Sequence, residues 1–291
     1  MEIIPLHPLF AAEVRGVDAA APLPEAQRAA LTAALDHYAV LVLRGQRLDD
    51  EKQIAFARLF GEPEMNIGIY RPASQRRLAR PEMADVSNVT PAGEVQGRTD
   101  KRRMFNLGNM LWHTDSSFRK PSGCLSFLYA HAVPEQGGET EFADLRAAYD
   151  ALEAPLKAEI EGLRAEHSIF HSRATLGFTE FSEEERAALP PVIQPLVRRH
   201  PGSGRKTLYL ASHASHIIGW PVPEGRLLLH DLIAFATRRE FVHVHRWQPG
   251  DLVIWDNRCT LHRGRPYPLE ARRDLRRVTT IDPENLAEYH A

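Results

Sequence analysis

The sequence predicts a mainly β protein with flanking helices, built on a double-stranded β-helix, or jelly-roll, core. Two observations carry this. From residue 85 onward the chain breaks into short β-rich runs bounded by turn residues: "DVSNV", "CLSFLYAHAV", "ETEF", "TLYLA", "FVHVHRW", "DLVIWDN" and "RRVTTI". Helical patterns gather before these runs and interrupt them, so the helices pack outside a mainly antiparallel sheet core.

Taken in order, "LPEAQRAALTAALDHY" carries apolar residues at helical spacing (Ala30, Leu31, Leu35), and "AVLVLRG" reads as a buried strand stopped by Gly45. A second helix begins at "DDEKQIAFARLFG", with Asp50 and Gln53 spaced as a capping box and Gly61 as the stop. The stretch 65–84 is arginine-rich and aperiodic, the pattern of a mobile loop or lid. Further helices are expected at "LRAAYDALEAPLKAEIEGL" and "GRLLLHDLIAFATRR", and Pro-Gly in "RWQPGDLVIW" sets a tight turn between strands. No repeat, low-complexity tract or flexible linker divides the 291 residues, so residues 1–291 are read as a single domain.

Composition narrows the function classes. A formal net charge of −2 gives no basic footprint for nucleic acid. No run of 18 apolar residues and no basic, apolar leader occurs, which argues against membrane insertion and secretion. Cys124 and Cys259 are too few for a disulfide framework or a thiolate zinc site. A cytoplasmic enzyme acting on a small molecule is the expectation.

The chemistry starts at "LWHTDSSF". On a strand, residues i and i+2 share a face, so His113 and Asp115 would project together, with roughly 7 Å of backbone between them. A metal between the two side chains is one reading; a polar surface strand, or a core histidine tied to a carboxylate, is the other. A third ligand must come from elsewhere among 14 histidines. "HASH" offers His213 and His216, "HVH" offers His243 and His245, and "LHRGRPY" offers His262 behind an interior strand. His262 stands out because the dense basic segment "RGRPYPLEARRDLRRVTT" follows it. Two histidines and one carboxylate on one face of an octahedral iron leave three positions open, and a nearby arginine can anchor a dianionic co-substrate.

With these residues assembled, H-T-D, the distal His262 and Arg273 eleven residues on resemble the taurine dioxygenase family of iron(II)/2-oxoglutarate oxygenases. The stretches "LVLRGQ", "QIAFARLFG", "GGETEFADLRAAYDAL", "ASHASHIIG" and "WDNRCTLHRGRPY" match as well, most closely in the 2,4-dichlorophenoxyacetate branch. Thr114 and the 65–84 segment depart from that branch. The resemblance implies that His113, Asp115 and His262 ligate Fe(II), while Thr140 and Arg273 hold the distal carboxylate of 2-oxoglutarate. It gives Arg277 the anionic head of the primary substrate, places Asn109 and Trp112 near the iron, and makes His213 a candidate for the aromatic pocket. Arg272 and Arg276 are read as a solvated basic face.

The implied reaction consumes O2 and 2-oxoglutarate and yields succinate and CO2. It hydroxylates the carbon beside the ether oxygen of an aryloxyalkanoate, and the hemiacetal collapses to a phenol and glyoxylate. The resemblance also implies a homo-oligomer. The alternatives are taurine or another alkyl sulfonate as substrate, a zinc hydrolase on the same three ligands, and a non-catalytic jelly-roll binding module.

Overall fold

The computed structural model describes residues 1–66, 68 and 76–283. Strand pairing creates a seven-stranded sheet in the spatial order Glu2–Pro5, Ala12–Arg15, Val40–Leu43, Leu252–Asp256, Gly123–Ala132, Asp274–Ile281, Met83–Ser87. Every neighbouring pair is antiparallel except Ala12–Arg15 beside Val40–Leu43. A smaller sheet holds Thr140–Asp144 between Val242–His245 and Thr260–Gly264.

The two-residue period of the strands sorts the apolar residues into layers. Leu41, Leu43, Phe127, Tyr129, Leu252 and Ile254 point to one face of the large sheet, where they meet Leu31, Leu35, Ile54 and Phe56 of the helices Glu25–Tyr38 and Asp50–Arg58. Their strand neighbours Val40, Val42, Leu128, Val253 and Trp255 point the other way and pack on Phe142 of the small sheet. The small sheet repeats the device. Phe142 faces the large sheet, whereas Ala143 and Leu261 face an outer cluster with Leu229 and Leu232 of the helix Val222–Ala236. The space between the sheets is therefore apolar at its centre. Polar side chains on the same inward positions are gathered at one end.

Several local expectations change. The helix at 50 is capped by Asp49, whose side chain accepts from the Lys52 amide, rather than by Asp50. Gln53 is buried instead and donates to the carbonyls of Phe127 and Arg276 at 2.9 and 2.8 Å, riveting the helix to the sheet. The helix expected over 145–163 is two helices, Leu145–Ala151 and Ala154–Ile160, because Pro155 cannot donate to a continuing first helix. Residues 67 and 69–75 of the 65–84 segment lie outside the described residues. Within its described part, Met83 already opens a strand, and Arg77 is fixed by paired hydrogen bonds to Asp85 and Asp274 at 2.6–2.9 Å. The Pro-Gly turn is present, with the Asp251 amide on the Gln248 carbonyl and Gly250 at φ +85°. Among the described residues no helix is long and apolar enough to cross a membrane.

One buried ion pair ties the outer helices to the small sheet. Arg146 is fully buried; it donates to Asp144 at 3.0 Å and to the carbonyls of Asp36 and His37 at 2.7 and 3.1 Å. Removing one partner strands the other charge, so Arg146→Ala is expected to cost about 3–5 kcal/mol in urea unfolding. A loss below 1 kcal/mol would show that the pair carries no such weight.

Candidate active site

His262 lies on the Thr260–Gly264 strand, one residue from the outward-facing Leu261, and so faces the inter-sheet space. His113 runs antiparallel beside it. The His113 amide bonds the His262 carbonyl at 3.0 Å and the His262 amide bonds the His113 carbonyl at 2.9 Å. This reciprocal pair puts the two imidazoles 4.2 Å apart, centroid to centroid. The expected continuous strand through Asp115 does not form. After the bridge the chain turns, with Ser116 at φ +55°, and the Asp115 carboxylate lies beside both rings. Nε2 of His113 and of His262 stand 3.8 and 3.5 Å from the Asp115 carboxylate.

The three groups fit a divalent metal. One ligand atom from each lies within 4.8 Å of the others, and all three residues are buried. His113 Nδ1 sits 2.8 Å from the Leu111 carbonyl, a contact that places the ring proton on Nδ1 and leaves the Nε2 lone pair facing inward. Burial, with His262 beside it, pushes His113 well below its ordinary pKa and keeps it neutral. Burial alone would raise the Asp115 carboxyl, but Arg277 and His262 outweigh it and hold Asp115 far below the usual carboxylate range. Two imidazoles and one carboxylate are a donor set for non-haem iron. A second trio, His200, Asp256 and Cys259, is already committed: Asp256 accepts from His200 at 2.9 Å and from Arg258 at 2.6–3.2 Å, and burial raises the Cys259 thiol.

Asp115 is held by Arg277 and by two residues with no motif of their own in the sequence. Ser126 Oγ donates to Oδ2 at 2.8 Å and itself accepts from Asn257 Nδ2 at 2.9 Å. Asn257 Oδ1 accepts from the Asp115 amide and from Trp255 Nε1 at 3.1 and 3.0 Å. Arg277 Nη1 donates to Oδ1. The available signals were a lone serine inside the apolar run "CLSFLYA" and an asparagine ending "LVIWDN".

Two cavities meet at the trio. The first contains His262, Thr140, Arg273, Tyr267 and Leu128. Arg273 is buried, with Nη1 and Nη2 3.3 and 3.4 Å from the carbonyls of Val86 and Gly138; its Nε has no hydrogen-bond partner. Burial lowers its pKa from the ordinary arginine value. Thr140 Oγ1 accepts from Trp247 Nε1 at 3.0 Å, so its own proton is left to donate elsewhere. The glycine pair before it is required: Gly137 and Gly138 have φ +75° and +73°, and a Cβ on Gly137 would overlap the Pro266 carbonyl.

The second cavity contains Asp115, His213, Arg173, Phe105, Phe118 and Ile169. Asn109, His113 and Arg277 line both. His213 bonds Ser172 Oγ through Nδ1 at 2.9 Å and meets Phe118 edge-on at 4.8 Å; burial and the Arg173 charge push its pKa well down. The sequence reading missed Arg173, Phe105 and the buried Glu64, which accepts from Ser116 Oγ at 2.8 Å. Trp112 needs correction. Next to His113 in extended chain it points the opposite way, onto the outer apolar cluster and 4.5 Å from the Arg263 guanidinium, and lines neither cavity. Arg276 is also not simply solvated, since it pairs with Asp50 at 2.5 Å.

Because Ser126 holds the inner carboxylate oxygen, Ser126→Ala should weaken divalent-metal binding about 10–100-fold with the fold retained. Titration of Mn(II) into wild type and variant checks this; equal affinities would remove Ser126 from the site's support.

Residues 2–279 match the family described as taurine catabolism dioxygenase TauD, TfdA family. The chain is 52% identical over 280 residues to the α-ketoglutarate-dependent 2,4-dichlorophenoxyacetate dioxygenase of Cupriavidus pinatubonensis, covering 96% of each chain. It is 40% identical to the (S)-phenoxypropionate/α-ketoglutarate dioxygenase of Sphingobium herbicidovorans, covering 94% of this chain and 92% of that one. A crystal structure of AAD-2 in complex with Mn(II) and N-oxalylglycine superposes with a TM-score of 0.90 at 47% identity, covering 97% of this chain and 98% of that one. The chain belongs to the TauD/TfdA dioxygenase family.

Proposed function

We propose that the protein is an Fe(II)- and 2-oxoglutarate-dependent dioxygenase that hydroxylates the carbon beside the ether oxygen of an aryloxyalkanoate. The observation that carries this is the junction of two arginine-lined cavities on one buried two-histidine, one-carboxylate trio. Identity of 52% and 40% to two aryloxyalkanoate dioxygenases supports the substrate class. Residues 1–291 act as one domain on a double-stranded β-helix core, the large and small sheets being its two walls. The same reading makes the enzyme a cytoplasmic homo-oligomer acting on a small anionic molecule, without nucleic acid or membrane.

His113, Asp115 and His262 would hold a ferrous ion. When bound, the ion would supply, with O2 and 2-oxoglutarate, the chemistry of oxidative decarboxylation to succinate and CO2 coupled to C–H hydroxylation. Arg273 and the Thr140 hydroxyl take the far carboxylate of 2-oxoglutarate, which fixes its length and direction toward the trio. Arg277 holds the anionic head of the primary substrate; its Nη1 is on Asp115, while its buried Nε has no hydrogen-bond partner. His213 and Asn109 form the wall beside the reacting carbon. The hydroxylated carbon then bears both OH and aryloxy groups. Its C–O bond to the aryl oxygen breaks, the hydroxyl proton is lost, and a phenol leaves with glyoxylate or a related 2-oxo acid. No side-chain nucleophile is needed.

Phe105, Phe118 and Ile169 favour an aryl substituent over a short alkyl sulfonate, because a flat ring buries more apolar surface against them. A panel of aryloxyacetates, aryloxypropionates and alkyl sulfonates, read by succinate formed, tests this. Turnover confined to the sulfonates would overturn the substrate class. Arg273→Ala should weaken 2-oxoglutarate binding by about 2–5 kcal/mol, because the partner carboxylate is left desolvated. An unchanged 2-oxoglutarate Kd would move that role to another basic residue. His262→Ala should abolish coupled turnover, and full activity in that variant would sink the ligand assignment.

A further inference from the structure

The cavity that holds His213 contains a second guanidinium, and its placement has a local cause. Arg173 sits in the last turn of the helix Ile169–Ala174, started by Ser168. Its side chain is buried, 3% exposed, and lines the same cavity as Asp115 and Arg277. Nη2 donates to Asn109 Oδ1 at 3.2 Å and Nη1 to Ser172 Oγ at 3.1 Å, while the guanidinium lies 4.6 Å over the Phe105 ring. The chain makes room for it at one place. A Cβ on Gly108 would overlap Cζ, Nη1 and Nε of Arg173, and Gly108 does not have the positive φ that would otherwise explain a glycine there. The absent side chain is what lets a cation stand at this wall.

We infer that Arg173 is a specificity-determining residue, which closes on the carboxylate of the primary substrate together with Arg277. This rests on the reading of the substrate as an aryloxyalkanoate anion. Arg277 already spends Nη1 on Asp115, so it meets a substrate carboxylate with only part of its fork. Arg173, held by Ser172 and Asn109, brings a second positive charge to the Asn109 and His213 side of the same cavity, so one anion is held from two directions. Its face on Phe105 fixes the plane of the guanidinium and sets the orientation of the carboxylate, hence which substrate hydrogen faces the trio.

The test compares phenoxyacetate with its neutral amide, phenoxyacetamide, binding anaerobically to Mn(II)- and 2-oxoglutarate-loaded enzyme by calorimetry. Arg173→Gln should weaken the acid roughly 10- to 100-fold and the amide by less than about threefold. Arg173→Lys should restore part of the acid preference, since it returns the charge without the planar fork. Gly108→Ala should act in the same direction as Arg173→Gln, by displacing the guanidinium. An unchanged 2-oxoglutarate Kd in each variant confirms that the site is still assembled. Equal losses for acid and amide would make Arg173 a support for the wall only and overturn the proposal. An acid preference that survives Arg173→Gln but disappears in Arg277→Gln overturns it too, while leaving the substrate class intact. Wild-type enzyme that binds acid and amide equally overturns the substrate reading and this proposal together.

Discussion

A buried carboxylate at Asp115 is the constraint around which the molecule is arranged. Left alone between two sheets, an ionised group is prohibitively unfavourable. Each strand that reaches this end of the inter-sheet space contributes to its compensation. The Gly123–Ala132 strand supplies Ser126, the end of the Leu252–Asp256 strand supplies Asn257, and the Asp274–Ile281 strand supplies Arg277. Because side chains alternate along a strand, a one-residue slip in any of these pairings would turn Ser126 or Arg277 away from the Asp115 carboxylate, or Asn257 away from the Asp115 amide and Ser126. Register of the large sheet and charge balance of the site are thus one requirement.

The small sheet contributes through its backbone. The reciprocal amide–carbonyl bonds between His113 and His262 set the spacing of the two rings before any metal is involved. The chain turns at the left-handed Ser116, whose hydroxyl Glu64 holds, while Ser126 and Arg277 hold the Asp115 carboxylate beside the rings. Preorganisation of this kind lowers the reorganisation needed when a metal arrives. It also makes the site sensitive to residues that touch neither metal nor substrate.

On either side of the trio the arginines divide the space. Arg273 is held behind the glycine pair at 137–138, and Arg277 spans both cavities from the same strand region, although the strand is irregular between Asp274 and Leu275. Arg173 enters from a helix through the gap left by Gly108. Backbone room is what admits Arg173.

Much of this was legible in the sequence. The continuous apolar runs "AVLVL" and "LVIW" mark strands buried on both faces, and the H-T-D stretch, His262, Arg273 and Arg277 carried the family resemblance that implied the residues of the site. The Asp49 cap, the break at Pro155 and the turn after His113 were less legible, since each depends on a competition between neighbouring residues that tertiary contacts resolve. Ser126 and Asn257 left only faint signals, Trp247, Glu64 and Arg173 left none, and Trp112, expected near the iron, packs on the outer apolar cluster. These residues come from segments far apart in the chain and act only through the face on which a strand or helix leaves them. Sequence by itself determined which residue types could do the chemistry and where the strands lie; only the tertiary structure decided which side chains share a cavity, because that follows from sheet register and packing rather than from spacing.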